Sequence, residues 1–285
     1  MSTSKPSVEL NAGALRLALR PDLGGSIAGL WHAGLPVLRS TEPAALAGAR
    51  QSGSYPLAPY SNRIGFHRFQ WQGQDYTTRR NFDDNPHSVH GVAWQRPWQV
   101  LSAGTDEAEL LLVHAPDADW PFAFELRQRF ALTPTELNVS FHFTNTAPQP
   151  QPVGLGWHPY FPKRAQSHIQ IELTERWDSD ATELPVQRVP QHGIDADVAA
   201  LDFDNCFEGW RGAALVRDEA LSLKLTSSLP YLVVFTPGNR DYYCVEPVSH
   251  VNNAIQLPDP GAHGLRTLAP GESFDAWMKL EVAPA

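Results

Sequence analysis

Between residues 122 and 144 the chain alternates apolar and polar side chains with period two on both arms of a single turn. Phe122, Phe124, Leu126 and Phe130 interleave with Glu125, Arg127 and Arg129. After Thr133-Pro134-Thr135-Glu136, Leu137, Val139, Phe141 and Phe143 interleave with Asn138, Ser140, His142 and Thr144. Successive side chains of a strand point to opposite faces, so this pattern predicts a long antiparallel pair with one face buried and one wet. His142 falls on the polar phase and reads as a solvated strand residue. Glycine and proline together make 45 of the 285 residues, above the average share of about 12%. They are scattered singly, so they mark turns between many short elements, which favours β structure. The 42% of hydrophobic and 10% of aromatic residues supply a core and exclude a disordered chain.

Other segments extend the strand reading. Leu15, Leu17 and Leu19 alternate with Arg16, Ala18 and Arg20 before Pro21-Asp22-Leu23-Gly24-Gly25, a strand running into a turn. Residues 26–39 read as a hairpin around His32-Ala33-Gly34, and Phe69–Tyr76 as a hairpin turning at Gly73. Trp94–Leu101 and Glu109–His114 read as a further pair. Strands are also expected at 168–173, 213–216, 221–225, 232–235, 242–246 and 274–282. Thr41–Arg50 and Asp195–Leu201 are candidates for short helical turns. The segment Ser54–Gly65 carries Pro56 and Pro59, which remove ladder donors, and is expected to be a shaped loop rather than a central strand. No composition shift, linker or repeat divides the chain, so residues 1–285 are expected to form one domain. The fold class expected is all-β, a large antiparallel β-sandwich.

Charge and motif content exclude several functions. The net charge is −9 and no stretch concentrates Lys or Arg, so neither nucleic acid nor an anionic membrane is an expected partner. Two cysteines, Cys206 and Cys244, read as structural thiols in a reducing compartment. The start of the chain, Met1 to Leu10, has no apolar targeting stretch, and no run of 18 apolar residues occurs, so a soluble cytoplasmic protein is expected. Asn138-Val139-Ser140 would then carry no glycan. Gly154-Leu155-Gly156-Trp157-His158-Pro159 fails the dinucleotide-binding pattern, because Pro159 stands where a third glycine belongs. No phosphate-cradling loop, Gly-x-Ser-x-Gly elbow or His-Glu-x-x-His is present. His87 and His90 have the spacing of two metal ligands but lack a matching Cys or His pair, so no metal is expected.

Separated polar residues remain, each beside glycine, proline or aromatics: Asn62-Arg63, His90-Gly91, Trp157-His158-Pro159-Tyr160, Asp204-Asn205 and Val245-Glu246-Pro247. In Gly154–Phe161, two turn-forming glycines lead into a histidine set between tryptophan and proline. That setting predicts a sheltered, oriented imidazole. Glu246 closes the apolar run 242–245 and is stopped by Pro247, a carboxylate at a strand end. It is either salt-bridged or chemically active.

On these residues the chain resembles the aldose 1-epimerases, or mutarotases, of the galactose mutarotase-like supersandwich proteins. The matching stretches are Asn62-Arg63-Ile64 with Gly65 and Phe69, His90-Gly91 with Trp94, Trp120-Pro121-Phe122, Gly154–Phe161, Asp204-Asn205-Cys206-Phe207 and Val245-Glu246-Pro247. Together they span about residues 10 to 282. The resemblance implies a sugar lying across an open cleft on one sheet, with His158 as general acid and Glu246 as general base. It also implies that Arg63, His90, Asp204 and Asn62 contact the sugar, and that no cofactor is needed. Asp202 is a rival to Asp204, because family members often carry Asp-His-Asn where this chain has Asp204-Asn205-Cys206. Val92 replaces a second glycine common in galactose-type members, which leaves the preferred sugar open.

The implied chemistry suits these residue types. Anomer interconversion removes a proton from the C1 hydroxyl and delivers one to the ring oxygen, a task for one carboxylate and one imidazole. Two other readings stand beside it. One is a sugar-binding or sugar-sensing protein on the same fold, which would need neither acid nor base. The other is a sugar-phosphate epimerase, which would need extra cations in the cleft, with Arg79-Arg80 and Lys163-Arg164 the sequence clusters. Oligomeric state is left open by the sequence.

Overall fold

The computed structural model describes residues 7–285. Met1 to Pro6, part of the stretch read for a targeting segment, lies outside the described residues. The period-two segment forms the strands Phe124–Thr133 and Glu136–Asn145, paired over their full length from Phe124↔Asn145 to Thr133↔Glu136. They lie inside a nine-stranded sheet whose order runs from Gln99–Ala103 through Glu107–His114, this pair and Ser273–Pro284. It continues through Leu221–Ser227, Ala214–Arg217 and His168–Ile171 to Ile194–Asp197. Phe124, Leu126, Phe130, Leu137, Val139, Phe141 and Phe143 are buried, as the alternation requires. His142 is exposed and bonds Asp275.

An eleven-stranded sheet supplies the other layer. Its order runs Val8–Ala12, Leu15–Arg20, Ser26–His32, Ser54–Leu57, Gly156–Pro162, Tyr242–Val248, Tyr231–Phe235, Asp204–Glu208, Glu175–Ser179 and Pro185–Pro190, with Leu35–Pro36 attached to Ser26–His32. The strand pairs of both sheets are antiparallel. One apolar core joins Leu10, Leu17, Trp157, Phe161, Tyr243 and Val245 of this sheet to Phe124, Phe141 and Leu280 of the other. The all-β sandwich expectation holds, with no α-helix among the described residues. No helix among them is long and apolar enough to cross a membrane.

Three local expectations are overturned. Ser54–Leu57 is a strand in the middle of the larger sheet despite Pro56. Its ladder to Ser26–His32 consists of the single step Ile27↔Ser54, so little pairing needs the missing N–H. The 195–201 segment is not one helix: Ile194–Asp197 is an edge strand, and only Val198–Ala200 turns, as a 3-10 helix. The strand carrying Glu246 does not stop at Pro247 but runs to Val248. Within Thr41–Arg50 the expected single turn is present, with the Ala45 and Leu46 N–H groups both donating to the Glu42 carbonyl, and the 3-10 turn Ala49–Gln51 follows.

Candidate active site

The site is built on the face of the larger sheet that points away from the core. In the strand Gly156–Pro162, Trp157 and Phe161 join the core, so His158 and Tyr160 emerge on the other side. By the same alternation Tyr243 and Val245 face inward, while Cys244 and Glu246 face outward. The two strands pair at Gly156↔Val248 and Tyr160↔Cys244. Continuing that register sets His158 opposite Glu246. Pro159 and Pro247 flank this position and withhold backbone donors, so the ladder opens where the two side chains meet. His158 Nε2 lies 3.4 Å from Glu246 Oε1. The next row, Tyr160, Cys244, Phe235 and Asp204, follows from the pairs Tyr160↔Cys244, Phe235↔Cys244 and Asp204↔Phe235.

Two loops close the other side. Arg63 pairs with Val89, and the His90 N–H donates to the Asn62 carbonyl at 2.7 Å. Asn62, His90 and Gly91 all have left-handed backbone, with φ of 52°, 68° and 70°. At Gly91 a Cβ would stand 2.0 Å from the Ala58 carbonyl oxygen, so only glycine fits there. His250 clamps the first loop from below. Its Nε2 accepts the Ser61 N–H at 3.0 Å, and Nδ1 faces the Val251 carbonyl at 2.8 Å.

These elements enclose a cleft of about 240 Å³ lined by His158, Glu246, Arg63, Asn62, His90 and Asp204. All six residues singled out in the sequence therefore converge on one cavity. Asp202 lines a separate groove that shares Asp204 and Phe235 with the cleft, which puts Asp204 nearer the couple. His87 is not a ligand. Its Nδ1 accepts the Phe66 N–H at 2.9 Å and its Nε2 bonds the Thr182 carbonyl at 2.7 Å, so both ring nitrogens are used. Arg79, Arg80, Lys163 and Arg164 do not line the cleft; Arg50 and Arg240 do.

The shelter expected from Trp157 and Pro159 comes from elsewhere, since Trp157 points into the core. Tyr160 stacks on His158 at 4.5 Å and 22°, Tyr55 lies tilted at 4.7 Å, and His90 meets it edge-on at 4.9 Å. The Tyr55 and Tyr160 hydroxyls bond each other at 3.0 Å, and the Arg39 guanidinium lies 3.7 Å over Tyr160. The two glycines also differ from their expectation: neither has positive φ, and at Gly154 a Cβ would stand 2.1 Å from His250 Cδ2. Close approach, not turning, requires glycine there.

Burial dominates the electrostatics. It pushes the His158 imidazole down to about 3, with the Arg39 charge adding to the effect. It raises the Glu246 carboxyl well above its ordinary value, assisted by Asp204 and opposed by Arg63. His90 is held well below the usual imidazole range by burial, then by His158 and Arg63. Burial therefore opposes charge on both members of the couple. Buried polar atoms without hydrogen-bond partners gather here: Arg63 Nε, His90 Nδ1, His158 Nδ1 and Glu246 Oε2. Such atoms at a cleft are the ones a polyhydroxyl ligand can satisfy.

Sequence reasoning missed Glu183. It projects from the turn joining Glu175–Ser179 to Pro185–Pro190 and contacts Arg63 Nη2 at 2.6 Å; the same Nη2 reaches Asp204 at 3.4 Å. Its left-handed φ of 65° is the local signal, visible only in three dimensions. Cys244 was also missed. Its sulfur and ligand atoms of His158 and Glu246 all lie within 4.8 Å of one another.

A two-sheet antiparallel sandwich with its cleft on the outer face of one sheet is the galactose mutarotase-like fold. A galactose mutarotase-like protein from Clostridium acetobutylicum superposes with a TM-score of 0.86 at 20% identity, covering 98% of this chain and 95% of that one. A family model described as aldose 1-epimerase matches residues 6–281, and the chain belongs to that family. An Escherichia coli K12 structure, provisionally described as an aldose 1-epimerase, has a TM-score of 0.89 at 29% identity over 98% of this chain and 99% of its own. The uncharacterized protein YphB of Escherichia coli K12 is 31% identical over 290 residues, covering 96% of this chain and 97% of its own.

Proposed function

We propose that the protein is an aldose 1-epimerase that interconverts the α and β anomers of a free aldose. The observation that carries this is the His158–Glu246 couple, 3.4 Å apart at the base of a cleft whose walls offer Arg63, Asn62, His90 and Asp204. Glu246 takes the C1 hydroxyl proton while His158 protonates the ring oxygen. The C1–O5 bond breaks, C1–C2 rotates in the open-chain aldehyde, and closure on the other face returns both protons. Burial disfavours charge on each group, and the 3.4 Å separation lets the carboxylate and imidazolium that this step uses stabilise one another. Neutral His90 contributes hydrogen bonding rather than charge, and the planar fork of Arg63 suits two adjacent hydroxyls.

Polarimetry on freshly dissolved α-D-glucose and α-D-galactose tests the reading. The protein accelerates the approach to equilibrium rotation, and Glu246→Gln or His158→Asn lowers kcat by at least about 10²-fold with the fold intact. No acceleration across a panel of aldoses would leave a sugar-binding protein instead. A phosphorylated aldose is the second reading, favoured by Arg240, which lines the cleft and has no carboxylate partner among the described residues. A kcat/KM for glucose 6-phosphate above that for glucose, lost in Arg240→Ala, would select it.

A further inference from the structure

We propose that His158, Cys244 and Glu246 form a site for a thiophilic divalent cation of the zinc class, and that occupation of it blocks turnover. Cys244 and Glu246 are two residues apart on one strand and therefore share a face, and the register sets His158 across from Glu246. Their sulfur, nitrogen and oxygen donors lie within 4.8 Å of one another. Zinc ligands at about 2.0–2.3 Å in tetrahedral array stand roughly 3.3–3.7 Å apart. His158 Nε2 and Glu246 Oε1, 3.4 Å apart, already have that separation, and the thiol, within 4.8 Å of the other donors, would close by a side-chain shift of up to about 1 Å. His158 and Glu246 line the cleft and Cys244 packs on the same face of the sheet, so the fourth position, on the cleft side, would be open to water. A thiolate–imidazole–carboxylate set selects zinc, cobalt or cadmium over magnesium or calcium.

A second observation points to a ligand. Glu246 is 3% exposed, yet its Oε2 has no hydrogen-bond partner, and His158 Nδ1, also buried, has none. Cys244 takes no part in the proposed sugar chemistry, is fully buried and does not line the cleft. The other cysteine makes a useful contrast. Cys206 lies in the row of Glu246 but beyond Val233, through the pairs Cys206↔Val233 and Val233↔Glu246. Binding requires the thiol as thiolate, so it would expel the thiol proton to solvent. With His158 Nε2 and Glu246 Oε1 bound to the cation, the imidazole has no Nε2 proton to give to a ring oxygen and the carboxylate is a weaker base.

Metal binding can be read without any activity, whereas the inhibition arm rests on the epimerase reading. Chelator-treated protein is titrated with cobalt(II), then with zinc. One equivalent of cobalt is expected to give a near-ultraviolet thiolate-to-cobalt band that zinc abolishes. Zinc at saturation suppresses mutarotation, and EDTA restores it. Cys244→Ser loses the band and weakens zinc inhibition by at least about tenfold while retaining mutarotation; Cys206→Ser keeps band and inhibition. If Cys244→Ser does not fold, Glu246→Gln decides: its band is expected to need at least about tenfold more cobalt, and an unchanged titration would overturn the site. Absence of a band at millimolar cobalt, a band that survives in Cys244→Ser, or loss of mutarotation on chelation would each overturn the proposal. A protein that binds cobalt as described but turns over no aldose would sink the epimerase reading alone.

Discussion

At the scale of single residues, the couple's behaviour follows from what burial does to two opposed groups. Free glutamate and histidine would share one proton only between about pH 4.5 and 6.5. Burial lowers His158 to about 3 and raises Glu246, so a second proton enters only in stronger acid and the first leaves only at higher pH. The active one-proton state therefore widens in both directions. In a kcat/KM profile for mutarotation we expect a plateau from about pH 5 to 7 with the acid limb below it; an acid inflection between 6 and 7 would contradict the site's desolvation. Glu183 acts on the same chemistry through Arg63, which it grips at 2.6 Å while itself about half exposed. Exposed ion pairs are worth roughly 0.2–1 kcal/mol, so Glu183→Gln should raise KM about 2- to 5-fold with kcat unchanged. A fall in KM would mean that Glu183 competes with the sugar for Arg63 instead.

At the scale of elements, the loop carrying Asn62 and Arg63 depends on His250 for its height in the site. Replacing His250 by leucine leaves the buried Ser61 N–H without its acceptor, a loss of about 1–3 kcal/mol. Urea unfolding should show that loss, and polarimetry a raised KM; wild-type values for both would remove His250 from the support of the cleft. The strands that make the floor were only partly legible. The 122–144 pair was readable because one face is wet, so polarity alternates along it. Gly156–Pro162 and Tyr242–Val248 are buried on both faces, and their residues read as continuous apolar runs broken by Pro159 and Pro247. Proline here suggested strand ends, when its effect is to open the ladder at the couple. Ser54–Leu57 was hidden for the same reason. The six residues of the cleft were found by motif rather than by pattern. Tyr55, Tyr160, Arg39 and Glu183, which set the couple's environment, come from strands and turns whose proximity only the register reveals.

At the scale of the whole molecule, placing neutral imidazoles in a β core makes folding sensitive to acid. His90, His158 and His250 are all held below their ordinary pKa by burial, His250 down to about 4. For each, the unfolded chain binds a proton near pH 6.5 that the folded chain refuses, so stability present above 6.5 is lost as pH falls toward the folded value. Two groups have the opposite sign. Glu246 is raised by burial, and His168 is raised by hydrogen bonds to Asp197 and Asp195, so each favours the folded state as pH falls toward its unfolded value. His168 acts above about pH 6.5, since below that it is protonated folded and unfolded alike. Between about 6.5 and 5 the three buried imidazoles therefore outweigh Glu246, unfolding takes up protons, and stability falls with pH. Urea midpoints should therefore be lower at pH 5 than at pH 7. The His250→Leu protein, stripped of one of the three, should show a flatter difference between the two pH values. A midpoint that holds or rises on acidification would mean that the cleft imidazoles accept protons in the folded state, and with them that the couple is less desolvated than its burial implies.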